Sequence, residues 1–292
     1  MKPYSPTKYE AARRDIQEKI ESLLNELGMF FRTFSRVKSY QSLESKVSLK
    51  KDTYQREGKK LQDFIGIRIT AYFEEDVQII SEILKSRLDF DSQSVDQLDP
   101  DRFAPQRNNL IFKIPEGVLL DNPSPEFIDP TYEVQIRTIF SEGWHEVEHD
   151  LRYKNKEIWE RYPSNSRGLN SVMAALEVCD KSISHIVSEM AYQAYKNHDL
   201  PTLILHSLKL RIKSLDLSSF FLEKQQDPTF LKGVLRADRK EFLRALSLAE
   251  PALPLTADNL LWVLCWTQRV LAISEDDLPA PIAHICKLPV SA

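Results

Sequence analysis

Residues 131–154 read TYEVQIRTIFSEGWHEVEHDLRYK, and the first seven alternate between apolar and polar side chains. Successive side chains of a β-strand point to opposite faces, so the alternation predicts a strand with two unlike faces. One face is apolar and is predicted to be buried: Tyr132, Val134 and Ile136. The other carries an acid, an amide and a guanidinium: Glu133, Gln135 and Arg137.

A second strand is predicted at GIRITAYF, residues 66–73, which is rich in β-branched and aromatic residues. Its polar face carries Arg68, and Asp63 stands shortly before it. Carboxylates are hard ligands for magnesium and arginine neutralises phosphate oxygens, so two acids and several cations on one sheet face fit a magnesium–nucleotide site. A salt-bridged sheet surface would show the same pattern, and both interpretations stay open from the residues alone.

The segment RVKSYQSLESKVSLKK, residues 36–51, is rich in cations and is predicted to be helical from about Ser39. Its nearness to Asp63 in sequence favours a phosphate-binding wall, although lysines on a helix are usually solvated. The cations of this wall would include Arg36, Lys38 and Lys46.

Apolar residues at helical spacing predict helices over residues 8–34 and over DVQIISEILKSRL from Asp76, and NLIFKIP at 109–115 predicts a further strand. The helix after Ser141 is predicted to pack through Trp144, Val147 and Leu151. Glu148 falls on this face and needs a cationic partner. The candidate partners are Arg68, Arg137 and Lys154, and the neighbouring His149 is assigned a supporting role.

From about Asn170 the strand patterns vanish. Helices are predicted in four segments: 170–197, 201–224, 239–249 and 257–273. A boundary at the polar stretch RYPSNSRG divides the chain into a mixed domain, residues 1–162, and a helical domain, residues 169–292. NLLWVLCWTQRVL in the latter is apolar around most of a helix, which predicts burial or an interface for a partner or a second copy.

Composition narrows the function classes. Hydrophobic residues make up 42% and charged residues 28% of the 292, as in ordinary globular proteins, and the net charge of −4 leaves only local basic patches for nucleic acid or phosphate. The sequence has no run of about 18–20 apolar residues, as a membrane span needs, and no signal-peptide core. Three distant cysteines predict buried, reduced thiols and a cytoplasmic protein: Cys179, Cys265 and Cys286.

Four segments in order, RVKSYQSLESK, QDFIGIRITAYFEEDV, YEVQIRT and EGWHEVEHDLRYK, resemble the synthetase domain of the RelA/SpoT family across about residues 30–155. Such domains make alarmones such as ppGpp, the signals of the stringent response. The resemblance implies an α+β fold with a mixed sheet flanked by helices, related to nucleotidyltransferases, here with an all-α C-terminal extension. It also implies pyrophosphate transfer from ATP to a ribose 3′-hydroxyl. Few residues precede Arg36, so no hydrolase activity is expected.

The resemblance also implies roles by position. Asp63 and Glu133 would hold Mg²⁺, and Glu133 would lie close enough to the attacking hydroxyl to act as general base. Arg68 would contact ATP and take part in catalysis. Further contacts to ATP phosphates and adenine are implied for Arg36, Lys38 and Lys46. Site-shaping positions are implied for Gln135, Arg137 and His149.

One segment departs from the family pattern. Members usually carry G-Y-x-S-x-H ahead of the strand that here ends in FKIP, with a tyrosine that stacks on the acceptor base. This chain reads APQRNN at 104–109, with Asn109 in place of the histidine. The acceptor therefore stays open between GTP or GDP, an adenine nucleotide, and the 3′ end of tRNA as in toxin-like relatives.

A tRNA acceptor needs a larger basic surface, for which the lysines of residues 46–60 are candidates. A catalytically silent binding module is the remaining alternative. The joint presence of Asp63, Arg68 and Glu133 argues against it.

Overall fold

The computed structural model describes the following residues: 6–39, 61–95, 108–115, 129–249, 252–274, 277–279 and 282–283. The chain divides into two compact units. The first comprises Met1–Glu21 and Phe31–Asp180, and the second Ser22–Phe30 and Lys181–Ala292. The division at residues 162 and 169 stays a prediction; the polar stretch on which it rests is helical from Pro163.

A five-stranded mixed sheet forms the centre of the first unit. Its strands are β1 (Phe31–Val37), β2 (Ile65–Ala71), β3 (Phe90–Val95), β4 (Asn108–Lys113) and β5 (Thr131–Thr138). The strand order is β1-β2-β5-β4-β3; β2 and β5 are parallel, and the other neighbouring pairs are antiparallel. The strands predicted from GIRITAYF, NLIFKIP and TYEVQIR are confirmed as β2, β4 and β5, whereas β1 and β3 lie outside the predicted strands.

Helices flank this sheet, so the predicted α+β fold is confirmed. They are α1 (Pro6–Glu26), α2 (Glu74–Arg87), α3 (Ile139–Leu151), α4 (Lys156–Glu160) and α5 (Pro163–Lys196), the last of which contains the boundary between the units. The prediction of a helix over residues 8–34 is wrong beyond Glu26. Gly28 has a φ of +68°, a left-handed conformation that ends helices and favours glycine, and the chain then enters β1.

Side chains along β2 and β5 alternate between a buried apolar face and a polar face. Their apolar faces are buried: Ile67, Ile69 and Ala71 of β2, and Tyr132, Val134 and Ile136 of β5. Helix α2 packs against both strands and buries its own apolar residues: Ile79, Ile80, Ile83 and Leu84. The core therefore takes one set of side chains, and the opposite set is left for polar contacts.

The second unit is helical where it is described, as predicted. Its further helices are α6 (Leu200–Leu208), α7 (Ser219–Lys224), α8 (Pro228–Leu235), α9 (Arg239–Ser247) and α10 (Ala257–Gln268). Four of them begin with a side chain that accepts a hydrogen bond from a first-turn N–H: Asp199, Asp227, Asp238 and Thr256. The segment predicted as one helix over 201–224 is thus two helices, and α10 stops at Gln268 because Arg269 adopts a left-handed φ of 51°.

Helix α10 is buried on most of its surface, as its apolar circumference predicts. Cys265 on this helix is buried, but the prediction is wrong for Cys179, which is exposed on α5; Cys286 lies outside the described residues. Among the helices that the structure describes, none combines the length and apolar character that a bilayer crossing requires.

Candidate functional site

The polar faces of β1, β2 and β5 meet in one pocket. Strand pairing sets Arg36 opposite Gly66 and Gly66 beside Glu133, and the next row of the same face holds Phe34, Arg68 and Gln135. An open cavity of about 440 Å³ lies over these two rows. Its remaining lining residues are Lys38, Asp63 and Ile67. Six residues predicted for the site from the sequence therefore line the same cavity.

Gly66 keeps this cavity open. A Cβ at this position would have no atom of the described residues within 4 Å, so the missing side chain leaves space in the row between Arg36 and Glu133. Three cations and two carboxylates surround the space: Arg36, Lys38 and Arg68, with Asp63 and Glu133. Such a lining suits a polyphosphate accompanied by a divalent cation.

Asp63 lines the pocket and is paired with a lysine. Lys38 directly follows β1, and its Nζ donates a hydrogen bond to Asp63 Oδ2. The backbone N–H of Lys38 also donates to the carbonyl of Phe64, at 2.9 Å, which ties the end of β1 to the start of β2. The pairing of two strand ends therefore brings together a predicted metal ligand and a predicted phosphate contact.

Glu133 lines the same pocket and accepts hydrogen bonds from two side-chain amides. Asn109 Nδ2 donates to Glu133 Oε1 at 2.8 Å, and Gln135 Nε2 donates to Glu133 Oε2 at 2.9 Å. Register explains the arrangement, because Asn109 of β4 pairs with Gln135 of β5, one row from Glu133 on the same face. Each carboxylate oxygen thus accepts one amide hydrogen bond, which restricts the orientation of the carboxylate.

Arg68 is attached to helix α3. Its Nη1 donates to Glu142 Oε1 at 2.8 Å and also to Glu146 Oε1. Arg137, predicted as a site-shaping residue, does not line the pocket: it is almost buried, and its Nη1 donates to Glu142 Oε2 at 2.7 Å. The sequence prediction did not include Glu142 and Glu146, although their spacing of four residues marks one helix face.

His149, predicted as a site-shaping residue, is exposed on α3 and does not line the pocket; its Nδ1 shares a hydrogen bond with Asp150 Oδ1 at 3.0 Å, and its ring stacks on Tyr153. Two predictions about the contacts of α3 are wrong. Glu148 pairs with Arg152, not with any of the three predicted cations. Of the predicted packed face only Trp144 is buried, whereas Val147 and Leu151 are exposed, because Glu142 and Glu146 occupy the helix face that contacts Arg68. Lys46 lies outside the described residues.

The donor set fits magnesium by its chemistry. Within the described part of the chain no group of three or more His, Cys, Asp or Glu side chains could hold a metal ion. Magnesium keeps several waters and usually takes only one or two protein carboxylates together with substrate phosphates. Asp63 and Glu133, on the wall of one cavity, supply such a pair.

Residues 35–158 match the family model described as "Region found in RelA / SpoT proteins". Over 119 residues the chain is 33% identical to GTP pyrophosphokinase YjbM of Bacillus subtilis strain 168; the match covers 41% of this chain and 54%, about half, of that protein.

Solved structures of small alarmone synthetases are also similar to the chain. The small alarmone synthetase 2 of Bacillus subtilis is 24% identical with a TM-score of 0.49, and the match covers 63% of this chain and 97% of that one. The small alarmone synthetase 1 of the same organism, bound to its product pppGpp, is 24% identical with a TM-score of 0.47, with coverages of 64% and 95%.

Proposed function

Residues 35–158 match the model of a region found in RelA/SpoT proteins, and on this premise we propose that the chain is an ATP-dependent pyrophosphokinase. It would transfer the β,γ-pyrophosphate of ATP to the ribose 3′-hydroxyl of a purine nucleotide. The observation that carries the proposal is the single cavity in which Asp63 and Glu133 face Arg36, Lys38 and Arg68.

The cations of the pocket would bind the donor. Pyrophosphoryl transfer spreads negative charge over phosphate oxygens, so catalysis depends mostly on positioning and electrostatic stabilisation. Arg36 and Arg68 lie on adjacent strands, in neighbouring rows on either side of the open space at Gly66. Their guanidinium groups can each bind a phosphate group through two parallel hydrogen bonds.

The reaction would exchange one P–O bond for another. The 3′-hydroxyl oxygen of the acceptor attacks the β-phosphorus of ATP, the bond from this phosphorus to the α,β-bridging oxygen breaks, and AMP leaves. The hydroxyl proton passes to the Glu133 carboxylate. Its two amide donors keep this carboxylate in a fixed orientation toward the acceptor.

Asp63 and Glu133 would hold Mg²⁺, which supplies charge neutralisation at the phosphate oxygens when bound. Lys38 forms an ion pair with Asp63. We propose that Lys38 exchanges this carboxylate for a phosphate oxygen of ATP, since a lysine can pair with either anion.

The acceptor would be a guanine or adenine mononucleotide. The surroundings of Glu133 support an intact acceptor side, because Asn109, at the position that departs from the family pattern, contacts Glu133 directly. The alternative acceptor, the 3′ end of tRNA, depends on the lysines of residues 46–60, all of which lie outside the described residues.

A labelling assay tests the proposal. The protein is incubated with Mg²⁺ and ATP labelled on the γ-phosphate, and GTP, GDP, ATP or tRNA is offered as sole acceptor. The expected result is label on a mononucleotide product, and not on free orthophosphate. Label on tRNA would replace the mononucleotide by the toxin-like acceptor, and no transfer to any acceptor would overturn the enzymatic proposal.

A further inference from the structure

Glu142 joins the two arginines of the polar sheet face. It lies in the first turn of α3 and binds Arg68 through Oε1 at 2.8 Å and Arg137 through Oε2 at 2.7 Å. The two arginines come from adjacent parallel strands, since Arg137 pairs with Thr70, two residues beyond Arg68 on β2. One carboxylate therefore fixes the position of both guanidinium groups relative to the sheet.

Burial decreases along this network toward the pocket. The exposed fraction of the side chain is 9% for Arg137, 18% for Glu142 and 25% for Arg68. Glu146, the second acid on Arg68, is 54% exposed. Removing one partner of an exposed ion pair costs little, whereas removing one partner of a more buried pair leaves an uncompensated charge and costs more. Glu142 is therefore the main anchor of Arg68, and Glu146 is a weak one.

Both acids contact the same nitrogen of Arg68. Arg68 Nη1 donates both hydrogen bonds, to Glu142 and to Glu146. Among the described residues, none accepts a hydrogen bond from Arg68 Nε or Nη2. These two nitrogens are the pair that a guanidinium uses to bind a phosphate side-on. The two acids thus bind Arg68 through one nitrogen, and its other two nitrogens can donate to a ligand in the cavity that Arg68 lines.

We propose that Glu142 is a positioning residue that fixes Arg68 for binding a phosphate group of the nucleotide donor. This inference rests on the proposed function, because it requires a phosphate-bearing ligand in the pocket. It assigns to α3 a role in donor affinity although no residue of α3 lines the cavity.

The test compares Glu142→Gln with Glu146→Gln, which removes an acid from the same arginine at an exposed site. Dissociation constants of the non-hydrolysable analogue AMPCPP and of adenosine are measured by calorimetry. We expect Glu142→Gln to weaken the binding of AMPCPP about 10-fold, the lower end of the usual range for residues that orient a ligand-binding group. Its effect on adenosine, which has no phosphate, and the effect of Glu146→Gln on either ligand should stay below about twofold.

A double-mutant cycle separates positioning from general structural damage. If Glu142 acts through Arg68, then Glu142→Gln added to Arg68→Ala causes no further loss of AMPCPP affinity. An equal loss in both backgrounds, or equal losses for AMPCPP and adenosine, would overturn the inference. Should Glu142→Gln fold poorly because Arg137 loses its counter-ion, Glu142→Asp keeps the charge and shortens the reach, and the same cycle applies.

The binding readout keeps the two proposals distinguishable. A wild-type protein that binds AMPCPP but transfers no pyrophosphate contradicts the proposed function and leaves the test of Glu142 intact. A wild-type protein that does not bind AMPCPP contradicts both.

Discussion

The two acids of the pocket have different hydrogen-bond donors. A lysine, Lys38, donates to Asp63, whereas two neutral amides, those of Asn109 and Gln135, donate to Glu133. A cationic partner neutralises a carboxylate and can be exchanged for another cation. Amide partners orient a carboxylate and leave its charge in place.

The difference indicates separate tasks for the two acids. Under the proposed function, Asp63 would exchange Lys38 for a metal ion, and Glu133 would keep the orientation that its two amide donors give it. Each of the following substitutions tests one side of this contrast.

The largest effect is expected for Asp63→Asn. Loss of a carboxylate ligand removes several kcal/mol of metal-assisted stabilisation, so pyrophosphate transfer should fall at least about 100-fold. The new amide oxygen still accepts a hydrogen bond from Lys38, and thermal unfolding should remain close to wild type. Initial rates and melting curves are measured beside Asp91→Asn, an exposed acid on β3 that should change neither. Near-wild-type transfer by Asp63→Asn would remove the metal-ligand role.

Glu133→Gln should reduce transfer about 10–100-fold and, unlike Asp63→Asn, should also destabilise the fold. The new amide NH₂ would face one of two fixed NH₂ donors, and an unsatisfied donor pair costs about 1–3 kcal/mol. Chemical denaturation measures this free energy of unfolding. Equal stability of the two variants would show that the amides at Glu133 are as exchangeable as Lys38, and the contrast would fail.

The contrast between the strand faces was accessible from the sequence. The period of two in GIRITAYF and TYEVQIR predicts the buried and polar faces of β2 and β5, and hence that Arg68, Glu133 and Gln135 share a face. The pairing of these strands brings Asp63 to the same cavity. The period of two is sufficient to predict the faces of these strands, because both lie in the interior of the sheet and each has one buried face.

Strand β1 could not be recognised in the same way. Phe30, Phe31 and Phe34 continue the apolar spacing of α1, so the pattern fits a helix and a strand equally. The strand forms through pairing with β2, a contact distant in sequence that sets Phe34 opposite Arg68. Gly28 is the local signal for the end of the helix.

The network of Glu142 was also missed, for a different reason. Acids on a helix near arginines are easily taken for solvated charges. Which arginine they reach depends on how α3 lies on the sheet, and that depends on tertiary packing.

Asn109→Ala removes one of the two amide donors of Glu133 and so tests its contribution alone. Removing one of two donors should let the Glu133 carboxylate rotate, and loss of such an orienting contact typically lowers activity about 10-fold. We expect kcat to fall and KM for ATP to stay unchanged, because the substitution leaves the cations that would bind ATP in place. Asn108→Ala is the matched control: Asn108 precedes Asn109 on β4 but points to the other face, where it accepts from Gln93 at 2.7 Å. Equal kinetics for the two variants would remove Asn109 from the site.

The smallest effect is expected for a substitution of Asp180, a third acid of the first unit. It is buried and accepts a hydrogen bond from a neutral side chain. Thr138 Oγ1 donates to Asp180 Oδ2 at 2.6 Å, and Asp180 is 7% exposed. Burial raises the pKa of Asp180, the negative charges of Glu74 and Glu177 raise it further, and the hydrogen bond from Thr138 opposes the rise. One hydroxyl donor therefore does not compensate a carboxylate for its loss of water.

A raised pKa in the folded state means that Asp180 favours folding in its protonated form. This contribution is complete below the unfolded pKa of about 4 and is lost as the pH rises through the folded value. Asp180→Asn removes the titration and retains an acceptor for Thr138, so its stability relative to wild type should increase from pH 4 toward neutrality. Denaturant unfolding at several pH values measures the difference, with Asp91→Asn as the exposed reference. A difference that stays constant with pH, or decreases, would mean that the single hydroxyl holds Asp180 as well as two amides hold Glu133.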